Sequence, residues 1–333
     1  MEKRTFKDMV LLLFILILAF VALLSTSNDF NFNYFKKYFM FGSTIIFLFI
    51  VSVITVNTKL VKFILKVNLI LCLAYSMFYF FGYTQYYGGG LTLNYSNPNL
   101  LALWLLHSVL YSVISFVYFK SKILKILSII ATLILFTMIL ETRTRSVLLA
   151  LFIFTIILVF IFMRNKFKLG EILTAIFVLF PLIFAVIYML QIYNPMIVES
   201  LNFMTSPGKG LDSRFSIWSN AFAVIQNNLV FGNYYEISAG TGISQLLNTH
   251  IDVMASYGCL VFVAFIIYLY KITLRIARNC ETKLQKIALA SFFAVMIMGS
   301  GEAAFVSGSV GMYILSCSFL LIARYKPNNE RYI

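Results

Sequence analysis

Ten long apolar stretches constrain this 333-residue chain more than any other feature of its sequence. Most run for about 17–22 residues, the length that an α-helix needs to cross the hydrocarbon core of a bilayer. The ninth is shorter, and we expect Lys283 and Lys286 to extend from it toward the membrane interface. The stretches are 9–25, 39–57, 63–82, 99–119, 124–141, 146–163, 169–190, 251–270, 286–300 and 303–322. They predict an all-α fold, a polytopic transmembrane helical bundle of about ten spans, forming a single membrane domain over residues 1–333.

The composition excludes an ordinary soluble protein. Hydrophobic residues make up 61% of the chain and charged residues 11%, whereas a soluble domain carries about 25% charged residues. A chain this apolar cannot cover itself with polar surface, so lipid must be its solvent. The formal net charge of +14 could also indicate nucleic acid, and the position of the charges decides between the two.

The basic residues indicate the orientation of the spans. With the N-terminus in the cytoplasm, 20 of the 26 Lys and Arg residues fall in cytoplasmic segments, as the positive-inside rule requires. The six others are Lys36, Lys37, Arg143, Arg145, Lys209 and Arg214. We therefore predict a multi-pass protein of the cytoplasmic (inner) membrane with both termini in the cytoplasm. Membrane lipid accounts for the basic charge, and we predict no nucleic acid partner.

One connection is much longer than the others. Residues 191–250 form a long extracytoplasmic loop between spans 7 and 8, and the loop is too aromatic for a disordered segment. Within it, the run DSRFSIWSNAFAVIQNN is typical of an amphipathic helix, with Ser213 as its cap. Trp218, Ala221, Phe222 and Ile225 share one face of this helix. We expect that face to rest on the outer leaflet.

Ionisable residues at the outer face are the candidates for chemistry, because the topology does not require them there. Arg143 and Arg145 lie between spans five and six, and Arg214 lies at the start of the loop helix. Guanidinium groups bind phosphate through paired hydrogen bonds and stay charged. His250 lies where the loop re-enters the membrane, and imidazole can accept a proton at neutral pH.

Further polar residues have alternative roles. Asp252 follows His250 and could fix its tautomer, as could a backbone carbonyl. Glu302 faces outside between the last two spans as an acid or a ligand. His107, inside the fourth span, is more typical of an interhelical hydrogen bond. Since no Asp, Glu and His cluster has the spacing of metal ligands, we predict neither a metal nor another cofactor.

Each candidate also has a purely structural interpretation. Arg145 stands four residues after Glu141 and could simply neutralise it. Arg214 could anchor its helix to lipid headgroups. His250 could be an interfacial hydrogen-bonding residue or a helix cap.

Four segments, in this order, resemble the O-antigen ligase and polymerase family. Asn97-Pro98-Asn99 resembles that family's Asp-Pro-Asn element, with Asn in place of the first Asp. TRTRSVLLAL places Arg145 on the family's arginine, and SRFSIWSNAFAVIQNNLVFGN matches its Arg-x-x-x-Trp helix and following Gly with Arg214, Trp218 and Gly232. NTHIDVMASYGCLVF matches its His and Gly with His250 and Gly258, although Ile251-Asp252 follows where the family has Asn.

The resemblance implies a metal-independent membrane glycosyltransferase that uses an undecaprenyl-diphosphate-linked oligosaccharide as donor. We expect His250 to be the catalytic base. The resemblance supports Arg145, Arg214 and Trp218 as substrate-binding residues, and position at the outer face adds Arg143, Asp252 and Glu302. Chain-length regulator and flippase proteins would be its partners. We expect a polysaccharide polymerase for capsule, exopolysaccharide or O-antigen synthesis.

Two other functions stay open. A ligase that moves a finished glycan to another acceptor would use the same motifs. A transporter or flippase of an anionic lipid-linked glycan would use the same arginines but should carry polar residues deep in several spans. The middles of spans five, six and eight contain almost no ionisable residues, which favours an enzyme.

Overall fold

The computed structural model describes residues 2–26, 32–82, 84–93, 95, 97–163, 170–192, 212–233, 246–302 and 310–326. In this part of the chain, eleven helices and one short hairpin form the secondary structure. The helices are α1 (Glu2–Thr26), α2 (Phe32–Val53), α3 (Thr58–Phe80), α4 (Pro98–Tyr118), α5 (Lys122–Thr142), α6 (Arg145–Met163), α7 (Glu171–Ile192), α8 (Asp212–Asn227), α9 (Thr249–Arg278), α10 (Lys283–Met298) and α11 (Val310–Arg324). The antiparallel hairpin pairs β1 (Tyr86–Tyr87) with β2 (Gly90–Leu91). The prediction of an all-α polytopic bundle is confirmed.

Each predicted span coincides with one of these helices, but the lengths differ. By length and composition, seven described helices could cross a membrane: α1 to α6 and α9. The segments Glu171–Ile187 and Met312–Arg324 are shorter apolar helices. The ninth predicted span is α10, which has 16 residues and is buried continuously from Gln285 to Met298. Because α10 is buried on all sides, it packs inside the protein as a core helix. At its first residue, Lys283 Nζ lies 5.2 Å from the centre of the Phe162 ring.

The helices form two compact units. The first unit contains residues 1–52, 175–272 and 299–313, and the second contains residues 53–174, 273–298 and 314–333.

Capping residues mark the N-terminal ends of α3 and α4. Asn57 caps α3 by accepting a hydrogen bond from the Leu60 amide at 2.8 Å. Asn97 caps α4 through the Asn99 amide at 2.9 Å, and Pro98 takes the first helical turn. Both caps satisfy amides that have no partner within the helix. The predicted start of the fourth span is confirmed.

In the second unit, α4 packs against α3 and α5, and α10 packs against α6 and α4. His107 of α4 binds the Ser316 hydroxyl of α11 through Nε2 at 2.9 Å and the Leu103 carbonyl through Nδ1 at 2.8 Å. Both ring nitrogens are therefore used, and the predicted interhelical hydrogen bond is confirmed.

The distribution of the basic residues is the basis for the predicted membrane orientation, and reporter fusions can test it. A reporter fused after Pro207 should behave as extracytoplasmic, and one fused after Asn279 as cytoplasmic, because the intervening α9 crosses the membrane once. Alkaline phosphatase and green fluorescent protein fusions measure this. Reversed signals at both sites would contradict the predicted orientation, and equal signals would contradict the single crossing.

Candidate functional site

Asn248 builds the corner at which the chain enters α9. Its Oδ1 accepts hydrogen bonds from the amides of His250 and Ile251 at 3.0 and 3.1 Å. Its Nδ2 donates to the carbonyls of Pro181 and Ser300 at 2.9 and 3.1 Å. One buried side chain therefore caps α9 and ties it to α7 and to the turn after α10. The cap is Asn248, so His250 is free of that structural role.

His250 is held in one tautomer by α7. The residue is fully buried, and its Nε2 lies 2.8 Å from the Val178 carbonyl oxygen. A carbonyl only accepts, so Nε2 must carry the proton, and in the neutral ring the lone pair then lies on Nδ1. Nδ1 has no hydrogen-bond partner among the described residues. The sequence offered Asp252 or a backbone carbonyl for this orienting role, and the carbonyl performs it.

Asp252 contacts a different part of the first unit. Its Oδ1 lies 2.9 Å from Lys37 Nζ of α2, and the two side chains are 1% and 11% exposed. Residues two positions apart on a helix point in nearly opposite directions. Asp252 therefore lies on the other side of α9 from His250.

Glu302 lies close to the start of α9. Its backbone carbonyl accepts a hydrogen bond from the Thr249 hydroxyl at 3.5 Å, and the Thr249 amide donates to the Gly299 carbonyl at 2.9 Å. Glu302 is 6% exposed. The first unit thus brings Glu302 to the residue that precedes His250.

The loop helix α8 packs on protein. Trp218 is fully buried, and its indole donates to the Leu246 carbonyl at 2.8 Å. Together with Ala221 and Ile225 it packs in a cluster that contains Ile251 and Ala255 of α9. The prediction that this face rests on lipid is wrong, because α7 and α9 supply the apolar surface that the face needs. The Arg214 side chain lies outside the described residues.

A chain segment after α8 inserts into the hydrogen bonding of α9. In a regular helix the Cys259 amide would donate to the Ala255 carbonyl. Here Cys259 donates to the Leu229 carbonyl and Ala255 accepts from the Asn233 amide, each at 2.9 Å. The helix kinks at this point, where Gly258 has φ 81° and ψ 172°. Leu229–Asn233 therefore bridges the interrupted turn of α9.

Two glycines make this approach possible. A Cβ on Gly258 would lie 2.0 Å from the Val230 carbonyl oxygen, and one on Gly232 would lie 2.5 Å from the Ala255 carbonyl oxygen. Both residues have positive φ, which glycine adopts without strain. These are the glycines of the motif resemblance, and their physical role is to fix the segment Leu229–Asn233 of the long loop against α9.

The second unit holds the other two candidate arginines at the corner between α5 and α6. Arg143 has φ 55°, a left-handed backbone conformation that residues other than glycine seldom adopt. Arg145 is the first residue of α6. Both are exposed, whereas Thr142, Thr144 and Ser146 between and beside them are buried. The corner therefore displays two guanidinium groups in succession.

Glu141 has other partners in this corner. It accepts hydrogen bonds from the hydroxyls of Tyr79 and Tyr86 at 2.5 and 3.0 Å. Hydrogen bonding to this carboxylate raises the pKa of Tyr86 above its ordinary value. Since α5 ends at Thr142, Arg145 does not follow Glu141 by one turn of a continuous helix. The interpretation of Arg145 as a helical partner of Glu141 therefore loses its geometric basis.

The Asn-Pro-Asn element lies beside the arginine corner. The Thr144 hydroxyl donates to Asn99 Oδ1 at 3.1 Å. A Cβ on Gly90 of the hairpin would lie 2.8 Å from the Thr142 carbonyl oxygen, and one on Gly89 would lie 3.4 Å from Arg143 Nη1. The start of α4 and the hairpin therefore fix the corner that carries Arg143 and Arg145.

Residues 130–266 match the sequence model of the O-antigen ligase family. The resemblance is confirmed. Members of this family are membrane enzymes that process glycans, so the match supports glycan processing by an integral membrane protein. Neither the curated proteins nor the solved structures compared with the chain gave a match.

The matched segment, residues 130–266, contains most of the candidate residues. Arg143, Arg145, Arg214, Trp218, His250 and Asp252 all lie inside it, whereas Glu302 lies outside. Two residues that sequence reasoning did not select also belong to the first unit's polar core. Asn248 could have been predicted, since an Asn directly before an apolar helical run is typical of an N-terminal helix cap. The pairing of Lys37 with Asp252 has no local sequence pattern to predict it, because 215 positions separate the two residues.

Proposed function

We propose that this protein is a polysaccharide polymerase that joins undecaprenyl-diphosphate-linked oligosaccharide repeat units at the outer face of the cytoplasmic membrane. The main support is the state of His250, a buried imidazole whose Nε2 proton is directed to a backbone carbonyl and whose Nδ1 has no partner among the described residues. This histidine lies inside the segment that matches the O-antigen ligase family.

In the proposed reaction, a hydroxyl oxygen of the acceptor sugar attacks the anomeric carbon of the donor sugar. His250 Nδ1 takes the hydroxyl proton as the new glycosidic bond forms. The bond between the anomeric carbon and the diphosphate oxygen breaks, and undecaprenyl diphosphate leaves with the bonding electrons. The imidazolium that results then returns its proton to water.

The arginines are assigned to the diphosphate. Charge develops on its leaving oxygen in the transition state, and guanidinium groups stabilise such charge through paired hydrogen bonds. We assign this role to Arg145, with Arg143 and Arg214 contributing further positive charge. The described residues contain no group of three or more His, Cys, Asp or Glu that could hold a metal ion. We propose that these arginines take the place of a divalent cation.

Purified protein in lipid nanodiscs should lengthen undecaprenyl-diphosphate-linked repeat units in the presence of excess chelator. Arginine side chains provide positive charge that a chelator cannot remove, so the rate should be unchanged by EDTA and by added magnesium. Chain length on a sugar-staining gel measures the product.

Loss of elongation in EDTA and its return with magnesium would contradict the metal-independent mechanism. The description of the matched family as O-antigen ligase favours a second candidate. A ligase would leave repeat units at their original length and move preformed long chains from the lipid carrier to an acceptor without a diphosphate. Movement of the lipid across the bilayer with no new glycosidic bond would identify a transporter.

A further inference from the structure

Lys37 and Asp252 form an ion pair inside the apolar first unit. Their atoms Nζ and Oδ1 are 2.9 Å apart, and the side chains of Lys37 and Asp252 are only 11% and 1% exposed. Nearby, Phe41 of α2 stacks on Tyr257 of α9 with ring centres 4.7 Å apart. Removing two charges from water costs several kcal/mol, so a buried pair is seldom maintained for stability alone. Ionisable groups within membrane helices usually serve function.

Two polar atoms beside this pair have no hydrogen-bond partner among the described residues. They are Asp252 Oδ2 and Ser256 Oγ, whose side chains are 1% and 3% exposed. Residues four positions apart on a helix are neighbours on one face, and both residues precede the kink at Gly258. Buried polar atoms are nearly always hydrogen-bonded, so this face of α9 has two adjacent positions for a ligand.

The two atoms define the chemistry of that ligand. The Asp252 carboxylate is paired with the Lys37 ammonium group, and a carboxylate can only accept hydrogen bonds. The Ser256 hydroxyl can donate. A hydroxyl group satisfies both at once, because it donates to Asp252 Oδ2 and accepts from Ser256 Oγ.

We propose that Lys37, Asp252 and Ser256 form a subsite that binds a hydroxyl group of the acceptor oligosaccharide, an inference that rests on the proposed function. The hydroxyl bound here differs from the one that attacks the donor, because Asp252 lies on the opposite side of α9 from His250. Lys37 acts as a positioning residue, since its hydrogen bond to Oδ1 orients the carboxylate and directs the second oxygen toward the ligand. The opposite charges of Lys37 and Asp252 cancel, so the pair does not repel the diphosphate of the donor.

The experiment measures acceptor binding apart from donor binding. The full-length protein in nanodiscs receives the lipid-linked repeat unit as donor and the octyl glycoside of the same repeat unit as acceptor. The octyl glycoside has no diphosphate and can therefore act only as acceptor. Ser256→Ala removes one hydrogen bond without changing charge, so the KM for the octyl glycoside should rise about 5- to 10-fold while kcat stays the same.

A second variant removes the charged half of the subsite. Lys37→Met combined with Asp252→Asn leaves no unpaired buried charge. It should raise the same KM about 100-fold, because hydrogen bonds to a charged acceptor are roughly twice as strong as neutral ones. Ser115→Ala is the matched control, since Ser115 is a buried serine of α4 whose Oγ also has no partner among the described residues. Its KM should equal that of the wild type.

The outcomes are distinguishable. A wild-type protein that forms no glycosidic bond contradicts the proposed function itself. An active wild type whose Ser256→Ala variant keeps the wild-type KM overturns the subsite and leaves only an ordered water at that position. A fall in kcat with unchanged KM also overturns it, because that result places Ser256 in the chemical step.

Discussion

Replacing His250 with glutamine should stop chain growth while binding of the lipid-linked donor continues. The glutamine amide reaches the position of Nε2 and can still donate to the Val178 carbonyl, but it offers no basic nitrogen in place of Nδ1. Loss of a general base lowers a rate by about 10²–10⁴-fold. The expected result is a fall of this size in single-turnover elongation. Thermal unfolding in nanodiscs should be close to that of the wild type, since the hydrogen bond to α7 is kept.

Two further variants separate the base from other roles. His107→Gln is the matched control, because His107 is also a buried histidine of an apolar helix but has partners on both nitrogens. It should retain elongation. Arg145→Lys should show the opposite pattern to His250→Gln, with weakened donor binding, because a point charge does not replace the paired hydrogen bonds of a guanidinium. Wild-type single-turnover rates in His250→Gln would contradict the assignment of His250 as base.

The features that the sequence predicted depend on local patterns. Apolar length predicted the helices, because a span must satisfy its backbone hydrogen bonds within about 20 residues. Asn97-Pro98 predicted the start of α4, because a cap and a proline act on the amides next to them. His107 was assigned to an interhelical bond, because a polar side chain deep in an apolar helix needs a partner there.

The features that the sequence did not predict depend on contacts between distant segments. The apolar face of α8 was assigned to lipid, since periodicity shows that a face is apolar but does not identify what covers it. The Lys37–Asp252 pair joins positions that are 215 residues apart. From the sequence, Lys37 is only one of the six basic residues that lie outside the predicted cytoplasmic segments. Gly258 lies in a run of helical character, and only the approach of Leu229–Asn233 reveals why a kink is required there.

Replacing Gly258 with alanine should displace the segment Leu229–Asn233 from α9 and abolish activity. The new Cβ would lie 2.0 Å from the Val230 carbonyl oxygen and 2.6 Å from the Phe231 amide nitrogen, both backbone atoms that cannot rotate away. A left-handed backbone also costs alanine about 1–3 kcal/mol. The bridging hydrogen bonds at Leu229 and Asn233 should then break, which leaves α8 attached to α9 only through its apolar cluster. Limited proteolysis of the long loop should become faster, and elongation should fall at least about 100-fold, because a small displacement of reacting groups has that effect.

Gly82→Ala is the control that separates backbone strain from the close approach. Gly82 has φ 76°, nearly the same as Gly258, but apart from its chain neighbours no atom of the described residues lies within 4 Å of its Cβ position. This variant should show the cost of the left-handed conformation alone, with elongation retained and loop proteolysis unchanged. Gly232→Ala should behave like Gly258→Ala, because its Cβ would meet the Ala255 carbonyl oxygen at 2.5 Å from the other side of the same contact. If Gly258→Ala and Gly82→Ala lost the same amount of stability and kept the same activity, the insertion of Leu229–Asn233 into α9 would be refuted. A large difference between them attributes the loss to that contact, because both variants place a side chain at a positive φ and they differ in what the new methyl group meets.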